Sequence, residues 1–247
     1  MSLDLSRLPS HFHEITTGDG SPTLSFQGPE GPEAMHHAGG ALAETNYVYA
    51  PVLAANFARP QGSVLVSLGT GLAYNEILAA TFARDNPGHH FALHTFEADE
   101  FLRASFALWL QGRDDLALAP LYAKICVGFG IRPAEVREIY TGAGSRANLI
   151  FEARLSRPEE LPQGVTGFLW DAFSRKTSPE LWDEDFLVAC FGRADLEFCE
   201  LATYARNGNL KRALARAGFT VVDQKGFANK RSSTRAYRGS GASGPRS

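Results

Sequence analysis

Ser63 to Leu110 is the stretch that leaves the fewest architectures open. Ser63–Leu68 is a short, β-branched apolar run that reads as a buried strand. Gly69, Thr70 and Gly71 turn the chain, and Leu72–Arg84 carries helical periodicity until Pro87-Gly88 stops it. Phe91–Phe96 is a second strand and Ala98–Leu110 a second helix. Two strand–helix units in succession predict an α/β fold on a parallel sheet with right-handed crossovers.

The flanking segments are less regular. Residues 17–40, rich in Gly and Pro, read as an extended lead-in with a short hairpin. Residues 41–58 read as a short element followed by a helix ending before Arg59-Pro60. Val136–Tyr140 and Asn148–Arg154, separated by Thr-Gly-Ala-Gly-Ser, predict a hairpin. Gly167–Phe173 is another buried strand. A helix is expected from Pro179 to about Cys190, capped by Ser178. Leu196–Tyr204 is a strand, Gly208–Ala217 a helix closed by Gly218, and 219–224 with 232–237 a closing strand pair. The expected organisation is an N-terminal lobe over 1–60, an α/β domain over 61–238 and a disordered tail over 239–247.

Composition excludes some classes. Hydrophobic residues make up 44% and charged residues 21% of 247, as in an ordinary soluble domain. No apolar run reaches the roughly 18 residues that a bilayer span needs. The first residues do not read as a secretory signal, so a cytoplasmic protein is expected. Cys126, Cys190 and Cys199 lack metal spacing and read as buried free thiols, so no metal is expected. The net charge is −3, but it is unevenly spread. From Ala205 onward there are ten Lys or Arg and one acid, a segment of +9, against −12 for the rest. Such asymmetry fits either a phosphate-binding surface or a solvated basic face.

The chemistry concentrates where strands end. A glycine turn after a strand lets a ligand approach the backbone, and the next helix offers free N–H groups. Ser67, Gly69, Thr70 and Gly71 therefore form a candidate cofactor turn. Glu97, ending the second strand, is placed to accept bonds from ribose hydroxyls, although it follows Gly69 by 28 residues rather than the roughly 20 of dinucleotide sites. The third glycine of the dinucleotide pattern is absent, which favours a nucleoside without a diphosphate, such as S-adenosylmethionine. Asp171 leaves the sheet among aromatics, ahead of Pro179, where a substrate would meet the cofactor. Tyr74, Trp170 and Phe173 suit either base stacking or core packing.

These pieces resemble one family in order. Asp171-Ala-Phe followed by Pro179 and Trp182 is similar to a signature of the tRNA 5-aminomethyl-2-thiouridine methyltransferases, the MnmC N-terminal-domain-like family. Met35-His36-His37, Gly40–Tyr49, Gly69–Leu72, Phe96-Glu97, Ala202–Tyr204, Leu210–Phe219 and Lys225–Arg231 also resemble it. The resemblance covers about residues 35–237. It implies a Rossmann-like class I methyltransferase fold, mostly parallel with an antiparallel closing strand and an N-terminal decoration. It also implies S-adenosylmethionine as cofactor and the aminomethyl group of a tRNA wobble uridine as substrate, in a stand-alone form without the flavin domain.

The resemblance implies Asp171 as the catalytic residue, and Glu152 as a substitute for the family's Gly-Asp near the adenine. Glu44, Tyr47, Phe173, Lys176, Lys230 and Arg231 become candidate contacts to the tRNA anticodon region. Leu65 and Ser67 depart from the family's acid and first glycine. Competing readings are a methyltransferase of a small-molecule or protein amine, and a cofactor-less paralogue that binds RNA or a partner. Oligomeric state is left open.

Overall fold

The computed structural model describes residues 3–28, 31–173, 175–228 and 232–239. The chain begins with a three-stranded antiparallel sheet of β1 (Phe12–Thr16), β2 (Pro22–Gly28) and β3 (Gly31–Ala34). Its first turn has a second use. The long helix α1 (Ala41–Phe57) starts after Gly40, which has no side chain to cap it. Ser21 Oγ accepts the Ala41 and Leu42 N–H groups at 3.1 Å, and Asp19 Oδ2 accepts that of Ala43 at 3.0 Å. The β1–β2 turn thus supplies the cap from outside the helix.

The main sheet has seven strands in the order β6-β5-β4-β7-β8-β10-β9. These are β4 (Ser63–Leu68), β5 (Phe91–Phe96), β6 (Ala147–Glu152), β7 (Gly167–Trp170), β8 (Cys199–Thr203), β9 (Thr220–Lys225) and β10 (Ser232–Arg238). Neighbours from β6 to β8 pair in parallel, and β10 runs antiparallel to both β8 and β9. Leu65, Leu93 and Leu169 face one core with α1, α2 (Tyr74–Asp85), α3 (Glu100–Leu110) and α4 (Ala119–Gly128). Val66, Phe168 and Trp170 face the other with α6 (Glu184–Phe191) and α7 (Gly208–Arg216). Apolar residues on both faces of β4 and β7 explain why these strands read as continuous apolar runs. The expected α/β, mostly parallel sheet with an antiparallel closing strand is the fold observed.

Several expectations are corrected. Val136–Tyr140 is not a hairpin strand but part of α5 (Pro133–Thr141). Pro133 opens that helix, Glu135 accepts the Arg132 N–H at 2.9 Å, and Val136 and Tyr140, four apart, share its buried face. β6 therefore pairs with β5, in parallel. The helix expected from Pro179 divides into a 3₁₀ turn, Pro179–Trp182, and α6. Asp183 rather than Ser178 caps α6, accepting the Phe186 N–H at 3.0 Å. Residues 41–57 form one 17-residue helix that includes Pro51. β1 and α4 have no counterpart in the sequence reading.

The basic segment after Ala205 is partly drawn inward. Arg212 reaches Glu184 at 2.6 Å, and Arg216 reaches Glu184 at 3.0 Å and Asp185 at 2.8 Å, tying α7 to α6. Arg235 lies 3.1 Å from the buried Glu200. The three cysteines are buried and free. Among the described residues no helix is long and apolar enough to cross a membrane, and no His, Cys, Asp or Glu cluster could hold a metal. The tail expected over 239–247 falls, after Gly239, outside the described residues.

Candidate active site

Strand order reverses at β4, whose neighbours are β5 on one side and β7 on the other. In an open parallel sheet the crevice at such a point receives ligands. The three strand ends are bonded together there: Phe96 O accepts from Gly69 N at 3.0 Å, and Leu68 O accepts from Asp171 N at 3.0 Å. Gly69 has φ +89°, and a Cβ on it would sit 2.6 Å from the Asp171 carbonyl oxygen. Only glycine allows both that conformation and that approach. Ala73, just before α2, is also left-handed, with φ 59°.

Glu97 locks the turn from β5. Its carboxylate accepts the Gly71 N–H at 2.9 Å and the Asp99 N–H at 2.8 Å. Burial raises its pKa, and the two peptide bonds oppose that rise. A carboxylate has about four acceptor positions, so Glu97 keeps acceptor capacity after these bonds.

Two cavities meet at Gly69, Glu97 and Phe173. One lies between the turn, Met35 and His36 of the N-terminal lobe, Tyr74 and Asn75 of α2, and Asp171. The other is flanked by Phe96, Leu155 and Leu181, with Arg154 and Glu180 at its wall. The N-terminal sheet clasps the loop after β7: the Phe26 and Phe173 rings lie 4.7 Å apart, and Thr177 donates to Glu33. Asn75 Nδ2 donates to Asp171 Oδ2 at 3.4 Å, while its buried Oδ1 has no hydrogen-bond partner. Burial, then the nearby Asp171 charge, pushes the Tyr49 and Tyr204 phenols up.

An S-adenosyl group fits this set of residues. The apolar slot suits a flat base, Glu97 suits ribose hydroxyls, and the unsatisfied Asn75 oxygen suits an ammonium.

Of the residues singled out in the sequence, Gly69, Thr70, Gly71, Glu97, Asp171 and Phe173 are brought together on the first cavity. Ser67 is buried in β4 and lines neither cavity. Glu152 also stands outside both, its carboxylate 3.8 Å from His94 Nδ1. Glu44 accepts the His37 N–H at 2.7 Å, and the Tyr47 hydroxyl donates to Lys225 O at 2.7 Å. Lys176 is exposed on the loop after β7. Lys230 and Arg231 lie outside the described residues. Trp170 is packed against Phe168 and Phe191 as a core aromatic, whereas Tyr74, buried and donating to Pro22 O at 2.7 Å, also lines the first cavity. Sequence reasoning missed Asn75 as a cavity residue. Its signal is a polar pair, Asn75-Glu76, in an otherwise apolar first turn.

Comparison with known proteins agrees with this geometry. Residues 121–239 match a family described as S-adenosyl-L-methionine-dependent methyltransferase. The tRNA 5-methylaminomethyl-2-thiouridine biosynthesis bifunctional protein MnmC of Aromatoleum aromaticum is 30% identical over 238 residues, 93% of this chain and 36% of the relative. Its namesake in Burkholderia multivorans is 27% identical over 228 residues, 85% of this chain and 34% of the relative. The chain spans about a third of the length of these relatives. The crystal structure of MNMC2 from Aquifex aeolicus shares the fold, with a TM-score of 0.69 at 23% identity over 97% of this chain and 74% of that one. Fold and family together define an S-adenosylmethionine-dependent methyltransferase. Within that class, the chain is similar to the MnmC-named relatives and shares its fold with MNMC2.

Proposed function

We propose that this chain methylates the exocyclic amine of an aminomethyl group on the wobble uridine of tRNA, with S-adenosylmethionine as donor, in the cytoplasm. In this reading residues 1–60 form the lobe that walls the crevice and 61–238 the methyltransferase domain. The observation that carries it is Asp171 facing the Gly69–Gly71 turn and Glu97 across one cavity. The names of the relatives support the choice of substrate.

Glu97 would hold the ribose hydroxyls, the turn and Asn75 Oδ1 the amino-acid end, and Phe96, Leu155 and Leu181 the adenine. Bound there, S-adenosylmethionine supplies a methyl carbon on a sulfonium, open to in-line displacement.

The remaining work falls to Asp171. An alkylamine with a pKa near 10.4 is only about one part in a thousand neutral at pH 7, and only the neutral form has a lone pair. An ionised carboxylate stabilises the ammonium, so Asp171 is not suited to be a strong base. It orients the amine by accepting a hydrogen bond and takes the proton late. Asn75 fixes Asp171 Oδ2 for that task. Phe26 and Phe173 wall the reacting end from water. Lys176, exposed on the loop after β7, would contact phosphate.

Calorimetry with S-adenosylmethionine, followed by mass analysis of nucleosides from tRNA carrying the unmethylated aminomethyluridine, tests the reading. The expected result is donor binding and a one-methyl gain on that nucleoside. Donor binding with no such gain removes the tRNA substrate, and no donor binding removes the catalytic reading.

A further inference from the structure

Behind the glycine turn, on the side away from the cavity, lies a carboxyl group that the reaction above does not use. Glu76 sits in the first turn of α2 and is fully buried. Its Oε1 accepts the Thr95 hydroxyl at 2.6 Å, and Thr95 Oγ1 lies 2.5 Å from Thr70 Oγ1. Thr70 is a cavity residue, so two hydrogen bonds connect Glu76 to the cavity wall. Glu76 Oε2 has no partner, and neither does the buried hydroxyl of Ser67.

Among the described residues, no cation is among the groups that act on Glu76. Ser67 and Thr95 face it from β4 and β5. Glu97, at the end of β5, acts on it as a like charge. Tyr122 of α4 and Tyr140 of α5 are the phenols that feel its charge, and Tyr140 donates to its backbone carbonyl at 2.6 Å. Burial, against the bond from Thr95, lifts Glu76 to a pKa of about 7. Its place in the first turn of α2 favours the charged form, so burial and the like charge of Glu97 are what hold it back from ionising.

We propose that Glu76 is a positioning residue that tells the cationic donor from its neutral product: near neutral pH it shares its time between the protonated and ionised forms in the empty protein, ionises when a sulfonium occupies the crevice, and takes a proton back once the methyl has left. The proton released on binding goes to solvent and is recovered from it, so charge balances over one cycle. The proposal rests on the donor reading given above. It goes further by assigning the preference for sulfonium over thioether to a residue that touches neither.

The test is calorimetry at pH 7 in buffers of different ionisation enthalpy, with S-adenosylmethionine and with its demethylated product. Wild type is expected to release about half a proton on binding the donor and close to none on binding the product. The donor's own amino group also titrates near this pH, so the difference from Glu76→Gln is the quantity to read. In that variant both ligands still bind and the difference in protons disappears. Across pH 6 to 8 the preference for donor over product should rise by about tenfold in wild type and stay flat in Glu76→Gln. Should that variant not fold, Thr95→Val should move the release to higher pH. Equal proton release with donor and product, or release unchanged in the variant, overturns the proposal and leaves donor binding intact. Absence of binding by wild type overturns both.

Discussion

Asn75 Nδ2 lies 3.4 Å from Asp171 Oδ2, so the first turn of α2 holds the carboxylate at the end of β7 across the crevice. In the proposed reaction the contact separates two tasks: Asn75 and the turn would face the donor, and Asp171 the incoming amine. Asp171→Ala should lower turnover by about a hundredfold or more. Donor affinity by calorimetry should stay within a few-fold of wild type. Parallel loss of affinity and turnover would place Asp171 on the donor instead.

Gly69→Ala forces a Cβ to 2.6 Å from the Asp171 carbonyl oxygen at a φ of +89°. It should destabilise the fold by about 1–3 kcal/mol, read by chemical denaturation, and weaken donor binding. Gly144→Ala, where a Cβ meets nothing within 4 Å, is the control and should change neither.

Glu76 also makes stability depend on pH. Below the ordinary carboxyl range it is protonated both folded and unfolded and adds no slope. Above about pH 4.5 the unfolded chain loses the proton while the folded one, with a pKa of about 7, keeps it. Its contribution is therefore fully present at low pH and is lost as pH rises to about 7, by an amount of order 3 kcal/mol. Glu76→Gln should gain stability on wild type in melts at pH 8 compared with pH 5. A constant offset between the two proteins would contradict this.

Arg212 and Arg216 are held by Glu184 and Asp185 on the neighbouring helix. Replacing both with Ala should leave the salt dependence of tRNA binding nearly unchanged, because groups already neutralised release few counterions. A drop of about two in the slope of log affinity against log salt would assign them to the RNA surface.

β4 and β7 were legible because they are buried on both faces, so Ser63–Leu68 and Gly167–Phe173 stand out without any knowledge of their neighbours, the latter strand ending at Trp170 in the structure. Gly69 and Glu97 were legible because turn and strand end follow one another along the chain. The crevice wall was not, since Met35 reaches it, and Phe26 reaches Phe173, through tertiary packing. Val136–Tyr140 misled because a β-branched start and an aromatic end suit a strand, while the decisive cue was Pro133 with the Arg132–Glu135 capping pair. The basic segment suggested a cationic face because sequence does not reveal that Glu184 and Glu200 stand opposite its arginines.

The position of β10 bears on how the molecule is made. Strand β10, which is made after both of its partners, is inserted between β8 and β9 rather than added at the rim. Until residues 232–238 emerge, β8 and β9 each present an open edge, a template on which another nascent chain can pair. Synthesis therefore passes through a stage in which most of the architecture exists but two sticky borders are bare, and that stage is where dependence on chaperones should be greatest.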